Sequence, residues 1–211
     1  MSLFFTILSL LVLLFSSVSG STVTSNNQKP SSVDSASTFQ DKALPNTIYY
    51  KEAKITAPVI ESELSDLFES DSKGQLDFNR QRKDDTPVQN LLAKGAVHLA
   101  FSPAPGEIGN SYLVGNRNSN LTEELKIPVT EHSASFRFLN LAKKGDVFYI
   151  YDKQGKKLSF KVFETITTST TDSATAYANF ENRRVVTLQT TTYNDLGKEN
   201  GRLLVRGELL E

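Results

Sequence analysis

The sequence predicts a mainly β fold, a closed or nearly closed barrel of about seven to eight short strands with one or two short helices. Three observations predict it. Short, alternating apolar segments recur from Thr47 to the carboxyl end and are separated by Gly, Pro, Asp and Asn clusters. Asp152-Lys153-Gln154-Gly155-Lys156 lies between two of these segments and reads as a tight hairpin turn. Finally, Val185 to Thr192 and Arg202 to Leu209 close the chain as two β-branched or aliphatic runs of matching length.

The elements follow in chain order. Ile48-Tyr49-Tyr50 and Ala53 to Ile60 read as short strands. Glu61 to Phe68 has the spacing of a short helix, and Ser70 to Thr86 reads as a polar, charged connection, long for a compact domain. Gly95 to Phe101 alternates and stops at the Pro103, Pro105-Gly106 turn, and Asn110 to Gly115 gives the next strand. Ser133 to Ala142 places Phe136, Leu139 and Ala142 on one helical stripe, which Lys143-Lys144-Gly145-Asp146 should end. Val147 to Tyr151 and Lys157 to Phe163 flank the hairpin turn. No internal repeat is visible.

The amino end has a different character. Leu3 to Phe15 is an apolar run followed by Ser16-Ser17-Val18-Ser19-Gly20. A core of about 13 apolar-rich residues suits a signal peptide and is short of the ~20 a membrane span needs. Small residues at Val18 and Gly20 fit cleavage after Gly20, whereas the lack of Lys or Arg before the run leaves an uncleaved anchor as the alternative. Residues 1–20 are therefore read as a signal peptide or membrane anchor, 21–46 as a flexible Ser/Thr/Asn-rich linker, and 47–211 as one folded domain. Either reading of the first segment places the domain outside the cytoplasmic membrane. Membrane contact is expected through that segment alone.

Composition removes several classes of function. The 23 basic and 24 acidic residues give a net charge of -1, which supplies no field for nucleic acid. There is no cysteine, so disulfides, thiolate metal sites and thiol chemistry are excluded. With only His98 and His132, a multi-histidine metal site is not expected, and no cofactor is implied. The acidic groups Asp84-Asp85, Glu123-Glu124 and Glu131 lack the spacing of a calcium loop and read as solvated charge.

Several motifs occur together in a recognisable order. They are Lys54-Ile55-x-Ala57-Pro58, Gly95-Ala96-Val97-His98, Pro105-Gly106-Glu107-x-Gly109-Asn110, Tyr112-Leu113-Val114-Gly115, Phe138 to Asp146, and Thr187-Leu188-Gln189-Thr190-Thr191 followed by Arg202 to Leu209. Together they resemble the sortases, bacterial cysteine transpeptidases that fasten proteins to the cell surface. The resemblance covers roughly Thr47 to Glu211 and implies their closed barrel. It also implies a catalytic triad at three positions: a histidine after Val114-Gly115, a cysteine after Thr187 to Thr190, and an arginine opening the last strand. Here those positions hold Asn116, Thr191 and Arg202. Only the arginine is of the expected type.

The two replacements are chemically decisive. A cysteine thiol with a pKa of about 8.5 is brought to its anion by a neighbouring cation, whereas a threonine hydroxyl must lose its proton to a base during attack. An asparagine amide neither accepts nor releases a proton near neutral pH. A threonine nucleophile activated by His98 or His132 is the enzymatic alternative. A strand histidine held by a hydrogen bond, a solvated His132 and a Thr191 that simply suits a strand are the plain readings. Arg202 could donate to a peptide carbonyl or pair with a carboxylate. The expectation is thus a catalytically inactive sortase-like domain holding an extended or sorting-signal-like peptide through Arg202, Thr190, Asn116 and His98. A purely structural surface domain is a further alternative.

Overall fold

The structure, a computed structural model, describes residues 46–193 and 199–211. Expectations for 1–20, and for the linker before Asn46, lie outside the described residues. The elements are β1 (Thr47–Tyr50), β2 (Ile55–Glu61), α1 (Leu64–Leu67), β3 (Phe68–Ser70), β4 (Leu76–Gln81), α2 (Thr86–Leu92), β5 (Ala96–His98), β6 (Gly109–Val114) and α3 (Asn120–Glu124). A single 3-10 turn at Leu139–Leu141 precedes β7 (Val147–Tyr151), β8 (Lys157–Thr168), α4 (Ser173–Ala176), β9 (Arg184–Tyr193) and β10 (Glu199–Leu209). Eight strands close a barrel in the order β1-β2-β5-β6-β9-β10-β8-β7. The predicted closed barrel is therefore present.

Two pairings, β2 with β5 and β6 with β9, are parallel; the remaining neighbours are antiparallel. The hairpin between β7 and β8 forms as the sequence predicts. Asp152 accepts the amides of Gln154 at 2.9 Å and Lys156 at 2.8 Å through Oδ1, and Gly155 supplies the positive φ of 77° that the turn requires.

Alternation along the strands builds two cores. Ile48, Tyr50, Phe148, Phe160, Leu188 and Leu203 fill the barrel interior, where Phe148 stacks against Tyr50 at 5.5 Å and Phe160 at 5.4 Å. The opposite faces of β5, β6 and β10 carry Val97, Tyr112, Val114 and Leu204, which pack with Val88 and Leu92 of α2 and Ala176 of α4. Strands β9 and β10 are consequently buried on both sides.

Three expectations are corrected. The stretch from Ser133 to Ala142 is a series of turns with one 3-10 turn rather than an α-helix. Its bonds run from residue i+3 back to i, as in Leu139 N–H to Phe136 O (3.1 Å) and Ala142 N–H to Leu139 O (3.1 Å). The three-residue spacing of Phe136, Leu139 and Ala142 suits that tighter winding, and all three are buried. The polar connection from Ser70 to Thr86 contains the β3–β4 hairpin. Its turn is set by Asp71 Oδ1, which accepts the amides of Lys73 and Gln75, while Leu76 packs on the outer core. Helix α2 was not foreseen; Pro87 in its first turn, where a missing N–H is harmless, marks its start.

One glycine tests the interior packing. At the register shift between Arg206 and Gly207, a Cβ on Gly207 would lie 2.4 Å from Phe148 Cε1 and 3.1 Å from Phe160 Cβ. Gly207→Ala should cost on the order of 1–3 kcal/mol. Urea unfolding followed by fluorescence measures it, and an unchanged midpoint would contradict the packing described.

Candidate functional site

The three strands carrying the positions of interest are neighbours. Arg202 of β10 is the register partner of Thr191 in β9. In the parallel pair, Val114 of β6 matches Gln189 of β9, and Gly115 N–H donates to Gln189 O at 3.0 Å. Continuing that register two residues beyond Val114 brings Asn116 level with Thr191. Period-2 alternation places Thr191 and Arg202 on the outer face with Gln189 and Leu204. Thr190 pairs with Leu203 and therefore shares the barrel-interior face with Leu188. The structure does not bring Thr190 to the Arg202 side, although the linear motif had grouped them.

Each of these side chains has a defined environment. The Asn116 side-chain amide donates through Nδ2 to Gln89 Oε1 of α2 at 3.1 Å, and the backbone carbonyl of Asn116 accepts Phe136 N–H at 3.0 Å. The Thr191 hydroxyl donates to the Tyr193 hydroxyl at 3.2 Å. That partner is itself a hydroxyl. Arg117, next to Asn116, lies over the Tyr193 ring at 5.9 Å.

His98 is elsewhere. β5 and β6 run antiparallel with Val97 opposite Val114, so His98 lies on the far side of Val97 from Asn116. Its Nδ1 meets Glu61 Oε2 at 2.6 Å, and Nε2 meets Pro103 O at 2.9 Å and Ser102 Oγ at 3.1 Å. This half-buried network ties β2, β5 and the β5–β6 loop together. His132 lies in the turn-rich segment after α3, 3.5 Å from Glu131. Neither histidine is among the hydrogen-bond partners of Thr191.

Arg202 is the unusual member. It is the largest fully buried side chain, and all three guanidinium nitrogens lack a hydrogen-bond partner among the described residues. Arg206, two residues on and also buried, provides the contrast: it meets Glu164 at 2.6 Å and donates to the Thr175 carbonyl. A guanidinium carries five N–H donors in a planar fork suited to carboxylates and carbonyls. Arg202 leaves that capacity unspent.

The cover over this face comes from the segment containing α4. Tyr177 packs on Tyr112 at 4.7 Å and on Phe101 at 5.7 Å. Asn110 Nδ2 donates to Ala178 O at 3.0 Å, and Arg206 holds Thr175. Burial pushes the phenols of Tyr112 and Tyr177 well above their ordinary range, and the Arg202 charge opposes this in both. Tyr112 donates to Gln189 Oε1 at 2.6 Å, whereas the Tyr177 hydroxyl is buried without a partner among the described residues. Asp172 is held down at about 2, chiefly by hydrogen bonds from Thr175 and Thr168, with a smaller contribution from Arg202. No ion pair joins Asp172 to Arg202 among the described residues.

The arrangement gathers a hydroxyl, an amide and an arginine, but no base and no thiolate. It can donate hydrogen bonds; among the described residues no thiol and no histidine partners Thr191. Among the described residues, no three His, Asp or Glu side chains form a metal-binding group. Gln89, Gln189, Tyr112 and Tyr177 escaped the sequence reading. Only the placement of Gln89 on a helix opened by Pro87 left a local signal.

Comparison with known proteins agrees with this fold. The family model for the sortase domain matches residues 74–210. Sortase C-1 of Actinomyces oris is 22% identical, with 81% of this chain and 77% of that chain covered and a TM-score of 0.53. Streptococcus pneumoniae sortase C is 20% identical over 79% of this chain and 68% of that one, with a TM-score of 0.55. Clostridium perfringens sortase C, solved with the C-terminal cell wall sorting motif, is 21% identical over 81% and 74%, with a TM-score of 0.53. At such identities these likenesses concern the fold alone. No curated protein matches the sequence.

The cap around Asp172 has a pH signature. Its carboxyl is depressed in the folded state, so its charge stabilises the protein above the unfolded value of about 3.9 and that contribution is lost as pH falls toward about 2. The wild-type protein should lose more stability across this window than Asp172→Asn. Parallel urea titrations at stepped pH check it; equal slopes would remove Asp172 from the cap.

Proposed function

The chain belongs to the sortase family, and from that premise we propose that it is an exported, catalytically inactive member that holds an extended, sorting-signal-like peptide without cleaving it. The observation that carries this reading is the guanidinium of Arg202, buried and without a partner among the described residues, beside Thr191 and Asn116. A peptide carbonyl or carboxylate is the natural partner for such a group. Export is supported by the apolar amino-terminal run and by the surface location typical of the family.

Retained binding and lost chemistry are separable on physical grounds. Asn116 cannot serve as a general base, and the Thr191 hydroxyl donates to Tyr193. In a coupled nucleophile and base, losing either member typically costs roughly a millionfold in rate, with little further loss for the second. Positioning through Arg202 depends on neither. His98, tied to Glu61 and Pro103, contributes to the frame of the β2–β5 edge rather than to the peptide. The clostridial relative solved with a sorting motif makes that peptide class the first to test.

Two measurements decide between binding and catalysis. Titration with sorting-signal peptides should give saturable binding that Arg202→Ala weakens by about tenfold or more, the scale of one charge-assisted hydrogen bond. No binding at millimolar peptide would refute the proposal. A quenched peptide with an amine acceptor should show no turnover by the wild-type chain. Turnover abolished by Thr191→Ala would instead make this a threonine-dependent enzyme.

A further inference from the structure

The molecule also has a concave site whose lining does not include Arg202. A cavity of about 360 Å3 opens between the turn-rich segment 129–138, Thr56 of β2 and Ser119 at the start of α3. Its size falls within the usual range for small-molecule sites, roughly 300–1,000 Å3. It shares no lining residue with Asn116, Thr191 or Arg202.

Its lining is selective. Lys54 and Arg137 contribute two positive charges, and neither has an ion-pair partner among the described residues. The only acid in the lining, Glu131, lies beside His132 at 3.5 Å. Thr130 and Ser133 donate to the Ala93 carbonyl at 2.5 and 3.2 Å, which fixes the wall. Ser135 Oγ, without a partner among the described residues, is buried behind this wall, 2.7 Å from where a Cβ on Gly115 would lie. Phe138 is exposed at the rim and carries Lys54 Nζ at 5.2 Å from its ring centre. Lys54 itself holds a left-handed φ of 53° in the turn between β1 and β2.

We propose that this cavity binds an anionic saccharide, a sugar ring bearing a phosphate or a carboxylate. Each part of such a ligand has a counterpart. The anionic group matches Lys54 and Arg137, whose charges no carboxylate neutralises. Sugar hydroxyls match the hydroxyl side chains of the lining, Thr56 and Ser119. The apolar face of the ring matches the exposed rim of Phe138 and Val129. A purely apolar ligand would strand the cations, and a bare anion would leave the rim unused. The site goes beyond the peptide reading and stands or falls without it.

The test is an NMR titration of the full chain, following the amides of residues 129–138, with four probes: N-acetylglucosamine 1-phosphate, glucuronate, N-acetylglucosamine and inorganic phosphate. Saturable shifts are expected with one or both anionic sugars, and which of them binds identifies the charged group. Lys54→Gln and Arg137→Gln should each weaken binding by about tenfold, the worth of a charged contact, while Lys161→Gln on β8 changes nothing. Both positions are exposed, so spectra elsewhere should keep the wild-type pattern. Equal binding of the neutral sugar would overturn the role of charge. Phosphate binding as tightly as the sugars would overturn the saccharide. Shifts with no probe would overturn the site itself.

Discussion

Strands β9 and β10 are buried on both faces, and the two-residue alternation along them decides what every side chain there can do. Val186, Leu188, Leu203 and Val205 fill the barrel, while Leu204 and the two arginines Arg202 and Arg206 face the outer core beneath α2 and α4. A slip of one residue would exchange Arg202 for Leu203 and drive a charge into the barrel. Such a register is strongly enforced by the aliphatic residues alone. The parallel pairing of β6 with β9 then delivers Asn116 to the same place. The position of the site is thus a by-product of core packing and survives whatever residues occupy it.

That independence explains how a family frame persists around altered chemistry. Catalysis at such a site needs two groups tuned to exchange a proton, and both positions hold residues that do not titrate near neutrality. Recognition needs only donors at the right place. Burying a guanidinium without a partner costs on the order of several kcal/mol, and Arg206 shows the ordinary solution, a carboxylate and a carbonyl at hand. Arg202 has no such solution within the described residues, which makes an external acceptor the economical explanation of its presence.

Much of the fold was legible in the sequence, for reasons particular residues make plain. The β7–β8 hairpin was readable because Asp152 and Gly155 determine it locally. The barrel was readable because alternation survives wherever one face meets a core. The segment 133–142 misled because a three-residue apolar spacing serves both a 3-10 series and an α-helix stripe. The β3–β4 hairpin stayed hidden beneath charge, since it is two-stranded and packs on the outer core through Phe68 and Leu76, too few apolar residues to show an alternation. At the site, the three family positions were visible as motif, but Thr190 was grouped with them because a linear motif does not show which face a residue takes. Tyr177 was invisible because it arrives from a segment far away in sequence, and Gln89 left no trace beyond the Pro87 that opens its helix.

The order of strands around the barrel differs from their order in the chain, and this sets when the molecule can close. β1 has its second neighbour in β7, a hundred residues on by the pairing of Ile48 with Ile150. β6 and β8 keep open edges until β9 and β10 are inserted between them. Folding dominated by such distant pairings is slow, and unpaired edges invite association with other chains. A chain of this topology delivered across a membrane from its amino end would stay adhesive until its last two strands emerged. The pair that carries Thr191 and Arg202 therefore also acts as the keystone that removes the barrel's last free edges.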